Sequence, residues 1–400
     1  MGTSFLLTFA ILIQEVVIGY ELYRITRDPL VLGLTGLMQA IPFISLTLFG
    51  GHIADRVSRR SIILWTIAGI TVSSLFLHVF VRYSGQVSPG TLVVVIYAVF
   101  LFIGACRAFE FPAASAIRAS LVPVEAYENS STWSSISWQT GTIAGPAVSG
   151  FLYIWLGFAN CLLVVALCLA GAFFLFSRVE DKSVDVQPSN EPILQSLKEG
   201  LKFVYRTKSI FYSISLDMFS VLFGGVVAIL PIFAEDILRV GPEGLGILRA
   251  APSVGGVLTL LFLSRISVIE NAWRNLLGSV LAFGIATLVF ALSPWMWLST
   301  TALFFTGAFD SVSVVIRATL LQILTPDNMR GRVNAVNGIF ISSSNELGAF
   351  ESGVAARLLG TVPSVLFGAA MTFVTVSWIY LRSKDLLRRN ILTAKTDKGD

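Results

Sequence analysis

Residues 29–49, PLVLGLTGLMQAIPFISLTLF, and residues 61–80, SIILWTIAGITVSSLFLHVF, each run about twenty positions without a charged side chain. As a helix, a run of about 20 residues crosses the hydrocarbon of a bilayer. Continuous apolarity excludes a membrane barrel, whose strands alternate. Such runs recur along the chain. Only 13% of the 400 residues are charged, against about 25% in a soluble domain, so the chain cannot cover itself with a solvated surface. The sequence predicts an all-α, multi-pass membrane protein.

The runs place twelve spans at 3–24, 30–53, 61–82, 91–119, 128–152, 158–178, 209–234, 244–264, 275–293, 295–321, 330–358 and 362–382. The first is read as a retained span, because no basic segment precedes it and no small-residue cleavage site follows. Lys and Arg gather in cytoplasmic loops. With both termini placed in the cytoplasm, most of the 28 basic residues fall on that side, and Arg24, Arg27, Arg82, Arg239 and Arg357 fall on the other.

The longest polar connection, 179–208, divides the chain into a six-span bundle at 1–178 and a second at 209–382, with a cytoplasmic tail at 383–400. Within the connection, Ile193, Leu194, Leu197, Leu201 and Val204 share one helical face. That predicts an amphipathic helix lying on the inner membrane surface. The halves echo each other: GLMQAIP at 36–42 matches GILRAAP at 246–252, and Phe109-Glu110 ahead of Ile117-Arg118 matches Phe309-Asp310 ahead of Ile316-Arg317. Internal repeats of this kind mark transporters whose halves rock about a midplane site.

Several function classes fall away. No G-x-x-x-x-G-K-[ST] is present, so the chain has no phosphate loop for ATP. Two histidines and three cysteines leave little for a metal centre, and Cys106, Cys161 and Cys168 read as buried free thiols. No nucleophile–base pair supports an enzyme, and no nucleic-acid partner is expected.

A charge at the bilayer centre costs about 2.5–3.5 kcal/mol, so each one within a span needs a reason. These are Glu15, Arg107, Glu110, Asp217, Arg249, Asp310, Arg317, Glu346 and Glu351. Arg107 with Glu110 (i, i+3) and Asp310 with Arg317 (i, i+7) can pair along one helix face. Glu15 and Asp217 have no partner on their own helix. A carboxyl buried without a partner takes up protons near neutral pH, which makes these two the first candidates for proton coupling and Glu110 the third. Asp217 could equally be a gate residue at the cytoplasmic end of its span. Asn345, Glu346 and Glu351 form a polar stripe with Ser342–Ser344 that suits packing inside the protein.

Between the second and third spans, GHIADRVSRR (51–60) resembles the loop motif G-x-L-A-D-[RK]-x-G-R-[RK] of the major facilitator superfamily, with Ile53 for leucine and Ser58 for glycine. GTIAGPAVSG (141–150) is similar to the fifth-helix motif of its antiporter branch, carried here by Gly141, Gly145, Pro146 and Gly150. The stretches LDMFSVLFGG (216–225), LLQILTPDNMRGRVNAVN (320–337) and SSSNELGAFESG (342–353) resemble a branch of siderophore and drug exporters. The resemblance implies twelve helices in two pseudo-symmetric bundles, with helices one, four, seven and ten lining a central cavity. It implies an inner gate of Gly51, Asp55, Arg56, Arg59 and Arg60, in which Asp55 bridges to Arg330 and Arg332 or to Arg118. The corresponding place in the second half holds Arg265, so the gate would be one-sided. It also implies a monomer in the bacterial inner membrane that exports a small amphipathic molecule and needs no cofactor beyond a proton gradient; an importer, a lysophospholipid or metal transporter on the same fold, and a transporter-like sensor that moves nothing are the alternatives.

Overall fold

A computed structural model describes residues 1–54, 56–83, 88–121, 127–180, 193–265, 269–326 and 329–388. Among them every regular element is helical. The segments expected to span are largely helical, but the seventh is interrupted at Gly225 and Val226, where α7 ends and a 3-10 turn begins. Among the described residues, ten helices are long and apolar enough to cross a membrane by length and composition. One of these, within α5 (Tyr127–Ser177), is broken at Gly157, whose φ of 74° and ψ of 167° only glycine adopts without strain, so α5 supplies both the fifth and sixth segments. The eleventh segment, α12 (Arg330–Leu359), is a continuous helix but lies outside the ten, because its serines, asparagines and charges lower its apolarity.

By internal contacts the chain divides into two compact units: Met1–Asn190 with Leu230–Ala250, and Glu191–Ile229 with Ala251–Asp400. The first is built from α1 (Gly2–Thr26), α2 (Pro29–Ala54), α3 (Arg59–Tyr83), α4 (Pro89–Leu121) and α5. Here α1 packs on α5, α2 on α4, and α3 on both α4 and α5. The same unit contains the single turn α8 (Leu230–Ile232), the π-helical turn Phe233–Ile237 and the opening of α9 (Gly241–Leu263). Sequence spacing alone assigned these residues to the second half.

The second unit holds α6 (Ile193–Arg206), α7 (Lys208–Gly224), the remainder of α9, α10 (Ala272–Leu292), α11 (Met296–Leu324), α12 and α13 (Thr361–Arg382). α10 packs on α11 and α13, while α7 packs on α12 and α13. Its core centres on Trp273, Leu276, Ile316, Leu320 and Ile379. The Trp273 indole N–H donates to Ser383 Oγ at 2.8 Å.

Packing repeats between the units where the sequence repeats. A methyl group added at Gly104 of α4 would stand 2.8 Å from the Pro42 ring of α2. One added at Gly307 of α11 would stand 1.9 Å from the Pro252 carbonyl of α9. In each unit a missing side chain lets a helix lie against the proline of its neighbour.

α6 differs from the sequence expectation. Its apolar face, through Leu197, Phe203 and Val204, packs on Val333, Val336 and Phe340 of α12. Gly200 lies against the Arg332 backbone, and Glu199 receives the Arg332 guanidinium at 2.6 Å. A protein surface, not lipid, satisfies that part of the face, while Leu201 stays half exposed.

Candidate functional site

The densest charge in the second unit lies between α7 and α11. Arg317 Nη1 is 2.5 Å from Asp217 Oδ2, and both side chains are more than nine-tenths buried. Arg317 Nε donates to Ser313 Oγ one turn earlier, at 3.2 Å. Asp310, expected as the partner of Arg317, stands at 4.0 Å with its side chain 45% exposed. The pairing therefore runs first across the helices and only loosely along one helix. Asp217, Ser220 and Val221 of α7, Val280 and Phe283 of α10, and Phe309, Asp310 and Ser313 of α11 enclose a small cavity. It has room for about one water molecule.

In the first unit, Glu15 of α1 accepts from Arg249 of α9 at 3.0 Å. Glu15 and Asp217, which lack a partner on their own helices, thus each face an arginine on another helix. Arg107 of α4 donates to Gln39 Oε1 of α2 at 3.0 Å and lies over the Phe43 ring. Glu110 follows it by one turn, partly buried.

A second cluster caps α1. Glu21, buried, accepts two bonds from Arg24, at 2.8 and 2.9 Å, and a third from the Tyr153 hydroxyl of α5. Tyr20 donates to Glu235 at 2.7 Å, and Tyr23 donates to Asp236. Arg27, in the left-handed conformation that ends α1, reaches Glu235 at 2.9 Å and Asp236 at 2.6 Å. Sequence reasoning treated Arg24 and Arg27 only as topology markers and passed over the tyrosines and acids. The spacing of 20, 23, 24 and 27 along one helical face was the available signal.

The loop-motif residues scatter. Asp55 lies outside the described residues, and so does the side chain of Arg118 in α4. A methyl group at Gly51 would meet nothing within 4 Å. It is Gly50 that lets α2 approach the Ala108 carbonyl of α4. Arg56 is exposed, Arg59 Nε donates to the Ala54 carbonyl at 3.4 Å, and Arg60 donates to the Ser177 carbonyl. Arg330 donates to the Gln322 carbonyl at 3.5 Å, and Arg332 holds Glu199.

The fifth-helix motif forms a packing seam. Gly141 and Gly145 lie against α1 at Thr8 and Phe9, and Gly150 against Pro242 and Glu243. Gly246 in turn abuts the Pro146 carbonyl. On α12, Asn345 is exposed and donates to the Ile341 carbonyl, while Glu346 and Glu351 are partly buried. Ser352 donates to the Gly225 carbonyl at 2.9 Å, tying α12 to the end of α7.

A sequence profile described as Major Facilitator Superfamily matches residues 1–349. The multidrug efflux pump Tap of Mycolicibacterium fortuitum is 24% identical over 354 residues, 83% of this chain and 84% of that protein. The enterobactin exporter EntS of Escherichia coli K12 is 24% identical over 346 residues, 83% and 80% of the two chains. A solved D-xylose-proton symporter superposes with a TM-score of 0.74 at 14% identity, covering 95% of each chain. That last likeness is one of fold.

Proposed function

Because the chain belongs to the Major Facilitator Superfamily, whose profile covers most of its length, we propose that this membrane transporter exports a small amphipathic, siderophore- or drug-like molecule in exchange for protons, by alternating access. One observation carries the reading: residues 230–250, from the end of the seventh expected span to the start of the eighth, pack in the first unit and make polar contacts there. Glu15–Arg249, Tyr20–Glu235, Arg27–Glu235 and Arg27–Asp236 are such contacts. These pairs stand beside apolar packing, such as Gly150 on Pro242 and Gly246 on Pro146. Charge pairs separate once water reaches them, because hydration replaces what the partner supplied.

The direction of transport is supported by the two efflux proteins similar to this chain. Proton coupling is supported by the acids within the membrane-crossing helices. The basic loops support cytoplasmic termini in a bacterial inner membrane. Asp55, Arg56, Arg59 and Arg60 with Arg118, Arg330 and Arg332 are the proposed inner gate, and Glu15, Arg107, Glu110, Asp217, Asp310 and Arg317 are the proposed cavity and coupling charges.

The test is substrate-induced proton movement in vesicles that contain the purified protein and a pH-sensitive dye, screened with siderophores and lipophilic cationic dyes. Proton movement opposite to an added compound, lost in Glu15→Gln or Asp217→Asn, supports exchange. Movement of proton and compound in the same direction makes the chain an importer. Compound flux without protons removes the coupling.

A further inference from the structure

The charges around Arg317 do not balance. Two carboxylates, Asp217 and Asp310, share one guanidinium, which stays charged at any pH the protein meets. The nearer acid takes the strong contact at 2.5 Å, and the other stands at 4.0 Å. Ionised together, they set two negative charges against one guanidinium, with Asp217 buried and Asp310 half exposed, and like charges that share a site disfavour ionising together. Among the described residues, the charged groups that act on Asp310 are Asp217 and Arg317. α10 contributes Val280 and Phe283 to the same cavity, both neutral. α12 and α13 pack on α7, and the acids Glu346 and Glu351 of α12 are not part of the cavity wall. Among the described residues, no further cation lines it.

A second observation points into the same space. Ser220 lines the cavity, is 4% exposed, and its hydroxyl has no hydrogen-bond partner. A buried hydroxyl without a partner forfeits a hydrogen bond it would have had in water. The cavity beside it is of water size, and its other polar walls are the two carboxylates and Ser313.

We propose that Asp217 and Asp310 form a one-proton site, in which a single proton shared by the two carboxylates balances the excess acid and a water on Ser220 Oγ carries it in and out. Asp217 keeps the direct contact with Arg317 at 2.5 Å, and Asp310, at 4.0 Å and facing the cavity, is the member of the pair that the proton reaches first. When it leaves, Arg317 is drawn toward both acids and the tie between α7 and α11 changes. The proton comes from bulk water and returns there, so no other reactant is needed. Two acids close together titrate as a pair, with one proton held tightly enough to keep them from ionising together. The site deepens the proton-coupled reading above and names where the coupling ion sits. Its protonation is measurable without any transported compound.

The experiment is infrared difference spectroscopy of the purified protein across pH, following the carbonyl stretch of protonated carboxyl groups. Wild type is compared with Asp310→Asn, Asp217→Asn, Asp310→Glu and Ser220→Ala, in choline chloride and in sodium chloride. The expected result is a reversible carboxyl band that is lost in Asp310→Asn, restored at a shifted frequency in Asp310→Glu, displaced in Ser220→Ala, and unchanged by sodium. Asp310→Glu guards against misfolding of the neutral variant, since it keeps the acid. A wild-type spectrum with no titrating band that Asp310→Asn removes would overturn the site. A band displaced by sodium would make it an alkali-cation site. If the band behaves as expected but no compound moves protons in vesicles, the proton site stands and the exporter reading falls.

Discussion

Arg249 Nη2 lies 3.0 Å from Glu15 Oε2, joining residues 234 positions apart in the chain. The pair fastens the opening of α9 to the middle of α1, with Arg249 15% and Glu15 25% exposed. Glu15→Gln removes the charge of the acid that Arg249 holds, and Arg249→Ala removes the donor that Glu15 accepts from. Each is expected to destabilise the protein by about 1–3 kcal/mol, below the range for a fully buried pair because both groups retain some contact with solvent. Combining Glu15→Arg with Arg249→Glu is expected to recover much of the loss, read as the melting temperature of the purified protein.

Asp217→Ala is expected to be costlier. It removes the 2.5 Å contact and leaves a guanidinium whose side chain is 6% exposed with only the looser Asp310 contact at 4.0 Å, so the loss approaches the cost of about 3–5 kcal/mol for breaking one side of a buried pair. Removing both charges, in Asp217→Ala with Arg317→Met, is expected to be less destabilising than Asp217→Ala alone. A double-mutant cycle on thermal stability measures the difference.

Two motif glycines, Gly150 on α5 and Gly51 on α2, give a sharp contrast in tolerance. A methyl group at Gly150 would lie 2.2 Å from the Pro242 carbonyl oxygen, whereas one at Gly51 would meet nothing within 4 Å. Gly150→Ala is expected to lower stability by about 1–3 kcal/mol through overpacking, and Gly51→Ala to leave it unchanged. The yield of monodisperse protein after solubilisation separates the two.

On α6, Glu199→Ala removes an ion pair whose acid is 41% exposed, so the expected loss is below about 1 kcal/mol. Gly200→Val drives a side chain into the Arg332 backbone and is expected to cost more, about 1–3 kcal/mol. The melting temperatures of the two variants rank the effects.

The orientation read from the basic loops is checked by single cysteines in a background from which Cys106, Cys161 and Cys168 have been removed. A cysteine in place of Ser58 is expected to react with an impermeant maleimide only after the cytoplasmic face is opened. One in place of Ser88, exposed between the third and fourth spans, is expected to react from outside.

Much of the architecture was legible in sequence because membrane-crossing length is a local property. Each run of apolar residues reports its own helix, and the Gly157 break and the interior prolines are local too. The amphipathic face of α6 was legible as well, since Leu197 and Val204 repeat with the helical period. What covers that face was not, because α12 reaches it from more than a hundred residues away. The motif glycines announced close packing without naming the partner: Gly141 and Gly145 meet α1, while Gly150 meets Pro242.

The sequence by itself determined the class of protein, its long apolar helical runs, and the fact that acids and arginines sit within membrane-crossing helices. Only the tertiary structure decided which of those charges meet. Residues seven apart on one helix, such as Asp310 and Arg317, are separated by about 10 Å along its axis, and long side chains close that gap only in part, here to 4.0 Å. Helices that pack at 8–10 Å between axes bring facing side chains into direct contact, so Asp217 takes Arg317 and Arg249 takes Glu15. Those contacts depend on how α7 lies against α11 and α9 against α1, which is a property of the assembled bundle and of no single segment.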